Sequence, residues 1–401
     1  MSLLPVDDAL KRILDGVEPL AHERVDLLAA AGRVLASDVI AQLTQPPFNA
    51  SAMDGYAVRA EDTAPIPAEL TVIGEASAGG PFDGGVGPRQ AVRIFTGGSV
   101  PAGADAVVIQ EDTERNGARL TVKEAARPES NIRRAGSDFR YGETLLHAGR
   151  LLDASAITLA AAGGHAQLKV RRRPRVAILA TGDELVEPGS ELRPGQIISS
   201  NPYGLAALVH AFGGEPRLLG IAGDTLADLQ AKLDLSGDAD VLVTIGGASV
   251  GDRDLVKPAL EARGMALDFW KVAMRPGKPM LFGRLDTGRV LGLPGNPLSC
   301  LITARIFLVP LLFALQGRTD NPLEEQAAVL GADIDANGSR QHYMRARLQP
   351  VAGALPRAMA LASQDSAHIS ALAGADALIV RPPCASAAKA GDIARVLPLD
   401  F

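Results

Sequence analysis

The segment Val241–Asp254 reads Val-Leu-Val-Thr-Ile-Gly-Gly-Ala-Ser-Val-Gly-Asp-Arg-Asp, and it constrains the fold more than any other stretch. A short β-favouring run that ends in glycines reads as a buried strand of an α/β sheet. Such a strand delivers its loop to the carboxyl end of the sheet, where ligands bind. Gly246 and Gly247 allow an anion to approach backbone N–H groups, and Ser249 adds a hydroxyl. Asp252 and Asp254 offer hard oxygens to a Mg²⁺ ion. The same residues also describe a plain strand-to-helix turn, with Asp254 capping a helix over Leu255–Ala262. The segment alone leaves both readings open.

A chain of 401 residues implies two to four domains. Hydrophobic residues make up 47% and aromatics only 4%, so the cores are built from aliphatic side chains. The net charge of -6 argues against a general nucleic-acid binder, which needs a basic surface. Cys300 and Cys384 stand apart without a CxxC pair, which disfavours a zinc ribbon or dithiol site. The first residues, Met-Ser-Leu-Leu-Pro-Val-Asp-Asp, carry acids where an export signal needs cations. The apolar run Leu298–Leu315 contains Arg305 and Pro310 and follows Pro297, so it reads as a core helix rather than a membrane span. A cytoplasmic protein without nucleic-acid or membrane partners is the expectation.

The texture changes along the chain. Residues 5–40 read as helical, through Val6–Leu14 and again Leu27–Leu35. From Gln45-Pro-Pro-Phe to about His147, short β runs alternate with Gly and Pro turns. Leu151–Gly163 returns to helical spacing. Strands and helices then alternate, as in a mostly parallel sheet covered on both faces, and β runs resume beyond Thr319. We expect a helical/extended domain from 1–45 and 148–173, a β-rich insert at 46–147, an α/β domain at 174–318 and a small β-barrel at 319–401. The basic run Arg171–Arg175 reads as an interdomain edge, with phosphate binding as the alternative.

Nucleotide signatures fail on inspection: Met274-Arg-Pro-Gly-Lys-Pro lacks the hydroxyl and spacing of a P-loop, and no GxGxxG follows a strand. Other clusters gather at strand ends. These are Thr181-Gly-Asp-Glu184, Ser199-Ser-Asn at a helix start, the cations Lys271, Arg275 and Lys278, and Leu293-Pro294-Gly295-Asn296. Each alone reads as a turn or cap; together they suit a long phosphate-bearing ligand. The β-rich insert carries its own set. Asp54 lies in Ser-Ala-Met-Asp-Gly-Tyr-Ala, Thr96 in Phe-Thr-Gly-Gly, and Arg133, Arg134, Ser137 and Asp138 in Asn-Ile-Arg-Arg-Ala-Gly-Ser-Asp. Arginines and hydroxyls suit an oxyanion, although turn chemistry and surface charge describe these segments too.

Taken in order, these motifs resemble the MoeA family of molybdopterin molybdenumtransferases and the related gephyrin E domain, from about residue 5 to 400. The resemblance implies an elongated four-domain homodimer with a MogA-like α/β domain. It implies insertion of molybdenum: adenylylated molybdopterin and molybdate give molybdenum cofactor and AMP, with Mg²⁺ assisting. It places the site between the α/β domain of one subunit and the β-rich domain of its partner. By motif, Asp54, Thr96, Asp138, Glu184 and Asp254 look catalytic. Asp224, Gly246, Gly247, Ser249, Lys271, Arg275, Lys278, Pro294, Gly295, Asn296, Arg345 and Ser366 look like the pterin and nucleotide side. Asp254 and Asp252 are the metal candidates, and Arg133, Arg134 and Ser137 the molybdate candidates. A molybdopterin adenylyltransferase and apo-molybdoenzymes are the partners such a step suggests. A non-catalytic pterin-binding scaffold and an adenylyltransferase are the rival readings.

Overall fold

The structure, a computed structural model, describes residues 3–247, 255–286, 288–365 and 367–399. At its centre is a six-stranded sheet in the order 215–222, 175–181, 241–245, 288–293, 281–285, 266–270. The first four strands are parallel; 281–285 runs antiparallel to both of its neighbours, so 266–270 runs in the direction of the first four. Every residue of Val241–Ile245 is buried, as expected for a strand covered on both faces. One face packs on a core containing Val243, Leu205, Phe282 and the helical run 297–316; the other packs on Leu229, Leu233 and Leu260.

The run Pro297–Gln316 is long and apolar enough to cross a membrane, but 89% of it is buried inside the protein. It is a core helix, as its sequence suggests. Its middle, Ala304–Leu308, widens to a π turn immediately before Pro310. Proline has no N–H to return to the carbonyl four residues back, and the wider turn accommodates that gap. Gly317 ends the helix in the left-handed conformation, φ 65°.

Helix Val6–Leu14 packs far from its sequence neighbours. Val6, Ala9 and Ile13 join the α/β core, and the Arg289 guanidinium donates to the carbonyls of Ile13 and Asp15 at 3.3 and 3.0 Å. The helical expectation for 27–35 needs correction. Only Leu27–Ala30 is helical, because Gly32 turns the chain at φ 70° and Val34 and Leu35 then bridge to Leu151 and Val170. His22–Asp26, too polar to signal a strand, pairs antiparallel with Gln167–Arg171.

A second six-stranded sheet lies within the 46–147 segment, in the order 106–109, 55–58, 90–94, 68–76, 119–122, 113–116. At the other end of the chain, strands 326–330, 341–349, 357–360, 377–381 and 393–398 close into a five-stranded barrel, since 341–349 pairs with both 357–360 and 377–381. Met274–Arg275 runs parallel to Gln341–His342 and stitches the barrel to the α/β sheet.

The basic run 171–175 acts as a clamp. Arg172 forks onto Asp240 at 2.8 and 2.6 Å, and the Arg175 N–H meets the same carboxylate at 2.8 Å. Arg171 donates to the Leu20 carbonyl, Arg173 to that of Gly213, and the Arg175 guanidinium pairs with Asp238. These guanidiniums are committed to the protein itself.

Candidate active site

Strands 175–181 and 241–245 are neighbours, and the sheet extends in opposite directions from them. That switch point opens a crevice at the carboxyl ends, the standard ligand position in open α/β sheets. A cleft of about 1090 Å³ occupies it. Thr181 and Glu184 line it from the first strand, Gly246 and Gly247 from the second, and Pro294, Gly295 and Asn296 from the loop before the buried helix. The Gly246 N–H binds the Leu293 carbonyl at 3.1 Å, so the loops are mutually braced. Gly246 has φ 88°, and a Cβ there would lie 2.8 Å from the Thr181 carbonyl oxygen. Only glycine fits so close a passage.

Cations share the lining. Arg275, Lys278 and Arg340 line the cleft, and none is ion-paired among the described residues. Arg275 and Lys278 sit on the turn 275–278, where Gly277 (φ 102°) leaves no space for a Cβ beside Thr303. Arg340 arrives with the barrel, its guanidinium 3.4 Å from the Met274 carbonyl. Behind this lining His342 is 8% exposed. Burial and the charges of Arg275, Arg340, Arg345 and Arg381 push its imidazole down to about 4, so it stays neutral at neutral pH.

Arg345 does not line the cleft. It is 1% exposed, and its guanidinium donates to the carbonyls of Asp365 at 3.3 Å and Ser363 at 2.5 Å. Its backbone N–H donates to Gln364 Oε1 at 3.1 Å. The loop it holds presents Gln364 and Asp365 to the cleft, so Arg345 positions the wall rather than touching the contents. Arg340, Gln364 and Asp365 carry no motif, and sequence reasoning missed them; the strand pairing of 274–275 with 341–342 brings them in.

Other expected residues fall outside the cleft. Asp224 is exposed beside it, its N–H bound to Asp183 Oδ1 at 2.9 Å. The next helix is capped by Thr225, which accepts from the Asp228 N–H at 3.2 Å. Lys271 has φ 79°, and its Nζ lies 5.0 Å from the centre of the Trp270 ring, away from the cleft lining. Ser249, Asp252, Asp254 and Ser366 lie outside the described residues.

The insert assembles its own group. Strand Ala50–Ser51 pairs with Ile132–Arg133, Ser51 exchanges backbone bonds with Gly97 and Gly98, and the Asp138 N–H binds the Gln45 carbonyl at 3.1 Å. Asp54, Thr96 and the 131–138 segment are thus brought onto one framework. Asp54 Oδ1 accepts from the Thr96 N–H at 2.7 Å and its hydroxyl at 2.8 Å. The backbone bond first, and the hydroxyl second, hold this carboxyl below its usual range. Arg133, Ser137 and Asp138 are exposed. Arg134 is paired with Glu129. No residue of this group lines the cleft.

Three family models cover nearly the whole chain: the MoeA N-terminal region (domain I and II) at residues 4–164, a probable molybdopterin binding domain at 177–314, and the MoeA C-terminal region (domain IV) at 327–399. The molybdopterin molybdenumtransferase of Nostoc sp. is 40% identical over 90% of this chain and 85% of its own length. The chain belongs to the MoeA family. A second member, the molybdopterin molybdenumtransferase of Haemophilus influenzae, is 39% identical over 79% of this chain and 78% of its own length. The crystal structure of the molybdopterin biosynthesis MoeA protein from Pyrococcus horikoshii superposes with a TM-score of 0.85 at 30% identity, covering 99% of this chain and all of that one.

Proposed function

We propose that this MoeA-family chain is the molybdopterin molybdenumtransferase its relatives are named for: molybdate gives up oxo groups as water to bind the dithiolene sulfurs of adenylylated molybdopterin, and water cleaves the pyrophosphate bond, giving molybdenum cofactor and AMP. The observation that carries this is the cleft itself. A crevice of about 1090 Å³ is large enough for a long ligand, and its cationic wall of Arg275, Lys278 and Arg340 meets a glycine-rich loop edge. Phosphoryl oxygens suit that wall, since charge-assisted hydrogen bonds to ionised oxygens are the strong ones. The same cations suit any tetrahedral oxyanion, molybdate included. Arg133 and Ser137, with Thr96, form the second molybdate candidate; Arg134 is less suited because Glu129 already engages it.

A divalent cation fits the donor set. Glu184 and Asp365 carboxylates and the Thr181 hydroxyl are hard oxygen ligands on the cleft wall. No group of three or more candidate ligands clusters among the described residues. Mg²⁺ keeps several waters and leans on substrate phosphates, so one or two carboxylates suffice. Bound there, it would stabilise charge on the phosphoryl group. Asp252 and Asp254, the ligands expected from sequence, are not among the described residues.

The protein's own contribution is position and charge. The cationic wall grips the pyrophosphate, and Asp54, kept ionised by Thr96, brings an acid to the insertion point. Because Asp54 and the cleft sit on different parts of the chain, the reading includes a homodimer in which the insert of one subunit completes the cleft of the other. A cytoplasmic location follows, with a molybdopterin adenylyltransferase upstream and apo-molybdoenzymes downstream.

The test is single-turnover incubation of purified protein with adenylylated molybdopterin, Mg²⁺ and molybdate, following AMP and active cofactor together. Both should appear with molybdate-dependent kinetics. Binding without AMP release would indicate a scaffold, and ATP consumption with unadenylylated pterin would indicate an adenylyltransferase; either result overturns the proposal.

A further inference from the structure

The corner Ser199–Asn201 carries two polar atoms that nothing among the described residues satisfies. Ser199 is 3% exposed, lines the cleft, and its hydroxyl has no hydrogen-bond partner. Asn201 lines the cleft beside it at the start of the eleven-residue helix Asn201–Ala211. Its Nδ2 donates to the Gly295 carbonyl at 2.7 Å, and this bond fixes which way the amide faces. The Oδ1 atom is buried and is left without a donor. A buried acceptor without a partner bears its full desolvation cost, so its persistence on a cleft wall points to a ligand that supplies the missing N–H.

The chemistry of the corner selects the ligand group. A helix start with serines reads at first as an anion site. Here the acceptor Asn201 Oδ1 and the Gly295 carbonyl stand beside it, and both repel a phosphate. The corner instead offers an acceptor for an N–H, a hydroxyl that gives or takes a proton, and helix N–H groups that no side chain caps and that favour a carbonyl oxygen. A pterin presents that complement: a ring carbonyl adjoining an N–H and an exocyclic amine. Adenine has no ring oxygen to place at the helix start. We infer that Ser199 and Asn201 read the carbonyl–amidine edge of the pterin. This rests on the proposed function and adds its specificity determinants.

The experiment compares 6-hydroxymethylpterin with its lumazine analogue, in which the amine is replaced by a second carbonyl, by calorimetric titration of the full-length protein. AMP is the control ligand. The wild-type protein should prefer the pterin by on the order of tenfold, the worth of one well-placed hydrogen bond to a neutral group. Asn201→Leu and Ser199→Ala should each shrink that preference while leaving AMP affinity unchanged. Equal binding of the two rings by wild type, or a preference that survives in both variants, overturns the inference. So does a parallel loss of AMP affinity, which would assign the corner to adenine. The wild-type ligand pair decides even if Asn201→Leu folds poorly. Turnover of adenylylated molybdopterin, measured on the same preparation, separates the two levels: normal turnover without ring discrimination sinks only this inference, and absent turnover sinks the function.

Discussion

The cleft of the α/β domain and the acidic group of the β-rich insert solve opposite problems. The cleft's polar groups are incomplete among the described residues: cations in no ion pair, a buried hydroxyl and an amide oxygen without partners. The insert's group is shallow and self-sufficient: Asp54 already takes two hydrogen bonds from Thr96, and Arg134 is already paired. Unsatisfied groups in a crevice are what a ligand completes, whereas a satisfied, ionised carboxylate on an exposed turn is what a reaction uses. In the proposed function one region binds, and the other supplies a reactive carboxylate. The contrast also explains why a second copy of the chain is part of the proposal.

The comparison can be broken most directly at Asp54. Asp54→Asn should lower cofactor formation by at least about a hundredfold, the range for a positioned acid or base, with adenylate binding intact in a titration. Weakened binding would mean that the insert also grips substrate. The next largest effect is expected at Arg345. Arg345→Ala leaves the part-buried carbonyls of Ser363 and Asp365 without this donor, at roughly 1–3 kcal/mol of stability in denaturant unfolding. Arg345→Lys, which cannot fork, should keep the fold and raise KM more than it lowers kcat.

Lys278→Ala and Arg340→Gln sharpen the binding half. Each should weaken AMP or pyrophosphate affinity by about tenfold, with a shallower salt dependence; unchanged affinity would place the phosphates elsewhere. Thr96→Ala should have a smaller effect, moving the acid limb of the pH–rate profile upward. It removes one of the two bonds that hold the Asp54 carboxyl low and leaves the stronger backbone bond in place. The smallest expected effect is at His342. Its folded value of about 4 lies below the ordinary 6.5, so the unfolded chain binds the extra proton between those values. Stability should therefore fall as pH drops from about 6.5 to about 4, and His342→Gln should flatten that part of the curve in thermal melts at several pH values.

Local physics made much of this legible. Val241–Ile245 could only be a buried strand, and Pro297 followed by an apolar run could only start a core helix once Arg305 and Pro310 ruled out a span. Gly246, Gly247, Arg275, Lys278 and the Pro294–Asn296 turn were read as loop residues at strand ends, and they do meet in one cleft. Each depends on residues adjacent in sequence, where periodicity, turn chemistry and strand direction apply. The family resemblance added the reaction, because many weak motifs in a fixed order are specific where each alone is not.

The remainder depended on contacts between residues far apart in the chain. The pairing of 274–275 with 341–342 brings Arg340 and the loop held by Arg345 to the cleft, and no sequence pattern announces a two-residue parallel contact. The role of Arg345 reversed, from ligand contact to support, once its fork was seen on Ser363 and Asp365. The Ser199–Asn201 corner changed from anion site to N–H reader because the Gly295 carbonyl, 94 positions along the chain, takes the amide nitrogen. Sequence fixes which donors and acceptors a chain owns and the local shapes of its elements. Which of those donors and acceptors remain unspent, and which way they face, is settled only when distant segments close on one another and consume the rest.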